Sequence, residues 1–589
     1  MAQIAPLGVG MIDKDDPNHQ TYTAEDSEFV AKTIVARLQE FGAELEELGM
    51  LLRAMAGEVG LKPQSPIDSQ TAALISLAGS LSRQAVQAAA ETATRSQFGI
   101  RAEDAGVVGD GIADDTAAFH AAARTAATAG IPLVLSAGTT IGISSYQKLP
   151  AGLVMHTNGA TFKQLTPMGR APVISLGPRS RVVGGIYVSL LGGAACQGVA
   201  ITDAPDVEVD RVDVRSQAPA AGSGNVRDNG VRVLNSDRVS IGRTYVENFD
   251  WPVWAEKSKG VSLGWVEANT YAKALHLDDV TRMRVGGGHV YGASPNSKYA
   301  PGYNGVLMEG DEGTDDVRIT GFTVEDAGEH GFRVSGPAAH TNIWLDACLA
   351  RNSGGTGFKV LGSLVSDGVY NKGITFNACR AIDSGQFNQN TCGFLIQMAD
   401  GVTLISPVVE KDKKTFSAVE GIRMSGVRHV TISNPKIMDT HKFALHIDEA
   451  CGNVQDVSIS KMHIQTGSGH GIYLQNPGVQ FRDLQIEAFV EVYAGDGAAF
   501  YAGRYTSEDT GTWRGVNKLD ITFSESTGAA RQISTYSSEN ALASFTANIV
   551  GRDDTTSPGS WPPFRPGSTR YNLRLGTFQV KRSDAWHSL

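Results

Sequence analysis

The chain has 589 residues, more than a single compact core usually contains, so we expect several domains. Its formal net charge of −11 argues against a nucleic-acid-binding protein, because such proteins carry a basic patch or stripe. No segment pairs a basic start with an apolar run, and no window approaches the roughly 18 apolar residues of a membrane span. The sequence therefore predicts neither a signal peptide nor membrane insertion.

Composition favours a β-rich protein without metal or cofactor. Glycine is frequent, with 67 residues, and aromatic residues make up 7%, which suits many short strands joined by turns. The cysteines are scattered and form no C-x-x-C pair, so buried thiols are expected rather than a disulfide framework or a zinc site. These cysteines are Cys196, Cys348, Cys379, Cys392 and Cys451.

Two segments precede the β-rich part of the chain. Residues 1–27 are polar and rich in turn-forming residues. Residues 28–97 contain an apolar seam that runs from Ile34 to Val59 in alternating steps of four and three, which is the a/d pattern of a coiled coil. A helix packed on its own domain is the alternative interpretation. We interpret residues 28–97 as a helical coiled-coil neck that oligomerises the chain.

The β-rich part begins with FGIRAEDAGVVGDGIADDTAAFHAA, residues 98–122. Asp114 and Asp115 precede an Ala-rich helix and can cap its free N–H groups, and Gly109 and Gly111 permit a tight turn. The segment resembles the G-D-G-x-x-D-D-T-x-A-[FI] opening of the pectate-lyase-like right-handed β-helix superfamily, which includes bacteriophage tailspikes. Its aspartates also suggest a metal or acid–base site, but the resemblance implies a structural cap.

A short element repeats through the middle of the chain. A small residue followed by alternating apolar and variable residues recurs from GVAIT (198–202) to GIYLQ (471–475), roughly every 22–30 residues. One coil of a parallel β-helix contains three short strands and three turns, which explains this period and its tolerance of insertions. The predicted fold class is mainly β: a right-handed parallel β-helix over 98–480, and a C-terminal β-domain over 481–589 for trimerisation or carbohydrate binding.

Stacking the repeats predicts which side chains lie together outside the coils. Alternation directs the third and fifth positions of each element outward, and successive coils stack about 4.8 Å apart. The fifth position then aligns the predicted catalytic residues, which are Glu256, Asp278 and Glu309. The third position provides predicted substrate-binding residues, which are Arg232, Trp254, His276 and Arg333.

This arrangement of carboxylates suits glycoside hydrolysis. Crowding raises the pKa of one carboxyl group and leaves an acid beside an ionised partner. Asp278 and Glu309 are expected about 5 Å apart, near the separation in retaining enzymes, and Glu256 and Glu309 roughly 9–10 Å apart, near the inverting range. Trp254 is expected to offer a flat apolar face to a sugar ring. A row of solvated acids on a sheet face is the alternative explanation.

A second row of candidate binding residues is predicted in the preceding strand of each coil and is expected to border the same groove. It consists of Glu247, Glu267, Tyr291 and Glu325. The insertion at 286–305 enters immediately before Glu309 and adds Tyr299 and Tyr303 to the predicted binding residues. Surface decoration is the alternative interpretation of this insertion.

The resemblance implies a phage or phage-like spike located in the virion and made in the host cytoplasm. It further implies a homotrimer that attaches to a phage tail or baseplate through residues 1–27 and binds a bacterial surface polysaccharide, namely capsule, lipopolysaccharide or exopolysaccharide. No catalytic motif of the superfamily can be matched residue by residue. We expect an endoglycosidase; the alternatives are a non-catalytic adhesive fibre and a polysaccharide lyase that uses Arg333, His276 or Tyr291 on a uronate.

Overall fold

A computed structural model describes most of the chain after residue 98. The described residues are 99–146, 148–191, 197–217, 229–293, 302–363, 368–385, 391–411, 420–440, 442–448, 451–466, 470–475 and 481–492, and then the strands between 498 and 588. The predicted attachment segment (1–27), the predicted neck (28–97) and Tyr299 lie outside the described residues.

The described residues form strands, one short 3₁₀ helix (Glu103–Ala105) and one α-helix, α1 (Thr116–Ala129). The first twenty strands are β1 (Ile100–Arg101), β2 (Leu133–Val134), β3 (Thr140–Ile143), β4 (Val154–His156), β5 (Thr161–Gln164), β6 (Pro172–Leu176), β7 (Arg181–Val183), β8 (Ile186–Leu190), β9 (Gln197–Thr202), β10 (Glu208–Ser216), β11 (Asn229–Leu234), β12 (Ser240–Glu247), β13 (Trp251–Glu256), β14 (Ser262–Tyr271), β15 (Leu275–Asp278), β16 (Thr281–Val285), β17 (Gly288–Ala293), β18 (Val306–Glu309), β19 (Asp315–Thr320) and β20 (Phe322–Glu325). The others are β21 (Phe332–Ser335), β22 (Thr341–Asp346), β23 (Leu349–Arg351), β24 (Phe358–Leu361), β25 (Asn371–Asn377), β26 (Arg380–Ile382), β27 (Cys392–Ile405), β28 (Val408–Glu410), β29 (Glu420–Ser433), β30 (Lys436–Met438), β31 (Phe443–Asp448), β32 (Val454–Thr466), β33 (His470–Gln475), β34 (Phe481–Val492), β35 (Ala498–Gly503), β36 (Asn517–Phe523), β37 (Arg531–Tyr536), β38 (Phe545–Gly551), β39 (Thr569–Asn572), β40 (Thr577–Arg582) and β41 (Ala585–Ser588).

The strands stack in parallel as three ladders, which we call sheets A, B and C. Sheet A includes the run β9, β11, β13, β15, β18, β21 and β24 and continues through the first halves of β27 and β29. Sheet B includes β16, β19, β22 and β25, and sheet C includes β17, β20, β23 and β26. Three strands per coil with parallel pairing between coils define a parallel β-helix, so the predicted β-helix is confirmed.

The interior of the coils is filled by ladders of apolar side chains. Phe332, Phe358 and Phe394 stack face to face, with centroids 4.8 Å apart in both pairs, and Phe322 and Phe376 meet this stack edge-on. All five are at most 1% exposed. The stack arises because each residue is the second of its repeat element, and the alternation of a strand turns that position inward.

The corner that leads from sheet C into sheet A is made by single Asn or Asp residues. Asn248, Asp326, Asn352, Asp383 and Asp439 have φ between 51° and 65°. Asn and Asp adopt this left-handed conformation more readily than other non-glycine residues, and Asn248 also donates from Nδ2 to the Ser216 carbonyl oxygen at 3.0 Å. These residues therefore shape the corners.

The segment that begins the β-helix is structural, as predicted, although Asp115 does not cap α1 with its side chain. Its carboxylate instead accepts the N–H groups of Val108, Gly109 and Gly142 at 2.7–3.2 Å. Asp114 accepts the N–H of Thr116 at 3.1 Å. Asp115 therefore links the Gly-rich turn to β3 through these hydrogen bonds, and Asp114 accepts the first N–H group of α1.

The coils continue past residue 480, beyond the boundary that the sequence predicts. Sheet A extends through β33, β35 and β37, and sheet C through β34, β36 and β38, which ends at Gly551. The sequence predicts a boundary at 480 because the repeat element is harder to recognise beyond it: Ala499 still leads the element in β35, whereas β37 has Gln532 at that position. Only β39, β40 and β41 form a separate antiparallel sheet.

Three of the cysteines, Cys348, Cys379 and Cys392, are buried free thiols, and Cys451 is partly buried. Cys196 lies outside the described residues. Within the described ranges, no helix is long and apolar enough to cross a membrane. The same residues contain no group of three His, Cys, Asp or Glu side chains that could hold a metal ion.

Candidate functional site

Three carboxylates stand at the ends of three consecutive strands of sheet A. Strand pairing aligns Glu256 of β13 with Asp278 of β15, and Asp278 with Glu309 of β18. The side chains are partly exposed, with values of 19% for Glu256 and 35% for Glu309. The structure thus contains the alignment that the repeats predict; a catalytic role for these residues stays a prediction. We call these three residues the carboxylate row.

Glu309 is held by two donors from the preceding coil. Its Oε1 lies 2.7 Å from His276 Nε2 and 3.2 Å from Lys273 Nζ. Burial lowers the pKa of His276, and the contact with Glu309 opposes that shift. Burial would by itself raise the pKa of Glu309, but the contacts with His276 and Lys273 bring it down to about 2. Glu309 is therefore ionised.

Asp278, one coil earlier, has a different environment. Burial raises its pKa to about 6, and repulsion from Asp279, Glu256 and Glu309 adds to the shift. Among the residues that the structure describes, no cation and no hydrogen-bond donor contacts the Asp278 carboxyl group. A carboxyl group that keeps its proton near pH 6 thus stands next to one that is ionised far below that pH.

Glu256 and Trp254 are both engaged by Arg232. Arg232 Nη2 lies 3.0 Å from Glu256 Oε2, and the guanidinium lies over the Trp254 ring, 4.2 Å from its centroid. The indole stacks against His276 at 5.7 Å with an interplanar angle of 7° and is 2% exposed. Trp254 therefore has both faces covered, and the prediction that it offers a face to a sugar ring is wrong.

His276 is likewise 2% exposed, so it serves Glu309 rather than contacting a substrate directly. Both corrections have the same cause. Alternation along a strand shows that a side chain points out of the coil, but it carries no information on which neighbouring side chains then cover it.

Two further residues belong to the site but are not among the predicted site residues, Trp251 and Lys273. Trp251 meets His276 edge-on at 4.9 Å, and Lys273 Nζ lies 4.7 Å from the centroid of the Trp251 ring. Each of them precedes the small residue of its repeat element by one position, and only the third and fifth positions were compared between repeats. Aligning that position as well predicts Lys273 beside Trp251, because the two residues precede Val253 and Leu275, which pair, by the same number of positions.

The second predicted row lies on sheet C and is partly out of register. Glu247 pairs with Asn269, which pairs with Tyr291, whereas Glu267 pairs with Tyr245 and lies in a neighbouring row. The prediction that Glu247 and Glu267 occupy equivalent positions is wrong by two residues. A shift of two keeps every side chain on its face of the sheet, so alternation cannot detect it.

Sheet C carries its own contacts, apart from the carboxylate row. Glu325 pairs with Arg351 and lies 3.6 Å from both the Arg351 guanidinium and His289 Nε2. Burial and the nearby Glu267 and Glu247 raise the pKa of Tyr291. The predicted binding residues Tyr291 and Glu325 therefore interact with other side chains of sheet C.

The width of sheet A separates the two rows. Trp251 is the residue of β13 next to the corner with sheet C, and Glu256 ends the strand at the opposite edge. Tyr303, from the insertion, accepts the N–H of Glu329 at its carbonyl oxygen at 2.7 Å, and burial and the nearby Asp250 raise the pKa of its side chain. Arg333 continues the third-position row, since Leu307 pairs with both His276 and Arg333.

No protein-family model matches the chain, and a search of curated proteins found no match. Among solved structures, the chain is similar to a tailspike protein mutant of E. coli bacteriophage HK620 in complex with a pentasaccharide, at 11% identity and a TM-score of 0.44, over 74% of this chain and 75% of that one. It is also similar to the pre-mature gene product 12 of bacteriophage phi29, at 11% identity and a TM-score of 0.39, over 86% and 82% of the two chains.

A third similar structure is the A-module of a mannuronan C-5 epimerase of Azotobacter vinelandii, at 14% identity and a TM-score of 0.34, over 76% of this chain and 99% of that one. Another phage tailspike protein is also among the matches. The fold of this chain is established by its own strand pairing.

Proposed function

We propose that sheet A hydrolyses glycosidic bonds of a bacterial surface polysaccharide, with Asp278 as general acid and Glu309 as its ionised partner. One observation carries this proposal: carboxyl groups on adjacent strands have opposite environments. Asp278 has neither a cation nor a donor beside it among the described residues, whereas Glu309 Oε1 is bound by His276 and Lys273. Glycoside hydrolysis requires such a pair, one protonated and one ionised.

The spacing favours the retaining form of the reaction. Adjacent strands of a sheet lie about 4.8 Å apart, so we expect the carboxyl groups of Asp278 and Glu309 about 5 Å apart, the separation at which the second carboxylate acts as nucleophile. Glu309 Oε2, which has no partner among the described residues, would attack the anomeric carbon while Asp278 gives its proton to the departing glycosidic oxygen. Asp278 would then deprotonate a water molecule that hydrolyses the glycosyl ester of Glu309.

Glu256 supports an inverting alternative on the same row. It lies two coils from Glu309, roughly 9–10 Å away, and that separation leaves room for a water molecule between two carboxyl groups. The anomeric configuration of the first product distinguishes the alternatives, because the retaining route preserves it and the inverting route reverses it.

We further infer that the whole chain is a receptor-binding spike of a phage or phage-like particle. The resemblance of residues 98–122 and the β-helix support this inference, and the heptad pattern of 28–97 supports a homotrimer. In this proposal residues 1–27 attach the spike to the tail or baseplate. An adhesive fibre that binds the same polysaccharide without cleaving it is the competing function.

The test is product release from a panel of purified bacterial capsular, lipopolysaccharide and exopolysaccharide chains. We expect one of them to be both bound and shortened to oligosaccharides that carry no ultraviolet-absorbing double bond. Binding without shortening would establish the adhesive function instead, and products that absorb in the ultraviolet would establish a lyase.

A further inference from the structure

Two cations extend the outer face of sheet A beyond the carboxylate row. Leu307, Arg333 and Lys359 follow His276 in the third-position row, on β18, β21 and β24. At about 5 Å per coil, Arg333 lies one coil past Glu309 and Lys359 two coils past it. A polymer that follows the β-helix axis across Glu309 would therefore pass both cations within one or two sugar units.

Lys359 differs from the other cations on this face. Arg232, Lys273 and Arg423 each lie within 4.0 Å of a carboxylate oxygen, and so does Arg333. Lys359 has no such partner in the part of the chain that the structure describes. Burial lowers the pKa of its amine and the neighbouring Arg333 adds to that effect, while the nearby Glu329 opposes it without forming an ion pair. A largely buried amine without an ion-pair partner is unfavourable unless a ligand supplies one.

The His330 ring contacts this amine. His330 Nδ1 accepts the N–H of Thr356 at 3.0 Å, so the proton of the neutral ring is on Nε2. Lys359 Nζ lies 3.2 Å from that Nε2, and Glu329 Oε1 lies 3.3 Å from it on another side. Because Nε2 carries a proton, the ring cannot accept a hydrogen bond from an ammonium group at Lys359. The contact therefore supplies no counter-charge to Lys359.

Arg333 is held with part of its guanidinium free. Its Nε donates to Ser335 Oγ at 2.7 Å, and its Nη1 donates to Glu329 Oε2 at 3.3 Å. Within the described ranges its Nη2 has no partner, and the side chain is 27% exposed. A guanidinium fixed along one edge presents its remaining N–H groups in a geometry that suits a carboxylate.

We propose that Arg333 and Lys359 form an anion subsite that binds the carboxylate of an acidic sugar unit, so that the substrate is an acidic polysaccharide. This proposal rests on the proposed function of the same face. The carboxylate of the sugar would accept from Arg333 Nη2 and pair with the Lys359 ammonium group. The net charge of −11 makes such a local pair of cations necessary for an anionic polymer to approach.

The test measures acetylation of Lys359 by an N-hydroxysuccinimide ester on the full-length protein, followed by peptide mass spectrometry. The probes are glucuronate, galacturonate and N-acetylneuraminate, compared with glucose, galactose and N-acetylglucosamine, all at sodium chloride concentrations that equalise ionic strength. We expect at least one acid to slow acetylation of Lys359 about tenfold, and no neutral sugar to do so, because a paired, covered ammonium group is a poor nucleophile. The exposed Lys259 should react equally in every sample.

Variants test whether Arg333 is the second cation of the subsite, and a surface variant controls for effects of substitution on the fold. Arg333→Gln should abolish protection of Lys359, and Arg333→Lys should keep part of it. The exposed Arg181, which lies on sheet B, serves as the control in Arg181→Gln, which should leave protection unchanged. Equal protection by acids and neutral sugars, or protection by none, would overturn the anion subsite.

These outcomes are separate from those of the proposed function, because protection does not require cleavage. A protein that shortens a polysaccharide but whose Lys359 no acid protects would overturn the anion subsite alone. A protein whose Lys359 is protected, but which shortens nothing that it binds, would overturn the proposed hydrolysis alone.

Discussion

His276 Nε2 lies 2.7 Å from Glu309 Oε1, and this contact joins the third-position row of one coil to the carboxylate row of the next. The histidine is 2% exposed and stacks on Trp254, so it cannot turn away from the carboxylate without disturbing the packed indole. Glu309 therefore stays ionised and oriented, while Asp278 beside it keeps a proton to higher pH. Most of the expected behaviour of the site follows from this asymmetry.

Cleavage should have an acidic pH optimum. Asp278 acts as an acid only while protonated, so kcat/KM should fall as the pH rises through its pKa of about 6. Glu309 acts only while ionised, and the low pKa of that group leaves it active throughout the mildly acidic range. The measurement is the pH dependence of kcat/KM on whichever polysaccharide is shortened. A rate that still increases above pH 7 would exclude Asp278 as the acid.

Replacing His276 should shift the acidic limb of that profile. In His276→Gln the pKa of Glu309 should rise, since a charge-assisted hydrogen bond contributes about 1.5–3 kcal/mol, equivalent to about one to two pH units. The acidic limb of kcat/KM should therefore move to higher pH while the basic limb, set by Asp278, stays in place. His289→Gln, on sheet C, is the matched control. An acidic limb that does not move would mean that His276 has only a packing role.

Asp278 should destabilise the fold at neutral pH. Its folded pKa lies above the unfolded value, so the penalty is absent at pH values below the unfolded pKa, develops above it and is complete above about pH 6. Asp278→Asn should therefore raise the free energy of unfolding by about 1 kcal/mol at pH 8, after allowance for solvent screening of a half-exposed group, and have little effect at pH 3. Chemical unfolding at the two pH values measures this. A variant less stable than the wild type at pH 8 would contradict the environment assigned to Asp278.

The phenylalanine stack should carry much of the stability of the central coils. Phe358 is 1% exposed between Phe332 and Phe394, and Phe358→Ala should lower the free energy of unfolding by about 3–5 kcal/mol. Phe489→Ala, at a position 38% exposed, is the control and should have a much smaller effect. Equal losses in the two variants would show that the stack contributes no more than a surface ring.

The sequence predicted the carboxylate row because the repeat element has a fixed length and a small residue at its start. That signal aligned Glu256, Asp278 and Glu309 without any knowledge of the intervening turns. In sheet C no such marker exists, and Glu267 was placed two residues away from its true partner. Stacking one more repeat position predicts Lys273 beside Trp251, but the ion pair of Lys273 with Glu309 depends on side-chain packing between coils, which no periodicity encodes.

The predicted end of the β-helix at residue 480 is wrong for a related reason. In sheet A, β35 still has a leading small residue, Ala499, but β37 has Gln532 at that position, so the repeat element becomes unrecognisable although the coils continue to Gly551. The corner residues were predictable, by contrast, because the left-handed conformation favours Asn and Asp, as at Asn248 and Asp326.

The most direct test of the site is the release of reducing ends by four proteins from a polysaccharide that the wild type shortens. The wild type and the surface control Glu208→Gln should release them equally. Asp278→Asn and Glu309→Gln should lose activity about a hundredfold or more while still binding the polymer, because a general acid or its ionised partner contributes at least that much. Turnover at the wild-type rate in both Asp278→Asn and Glu309→Gln would contradict the account and place the chemistry elsewhere on the molecule.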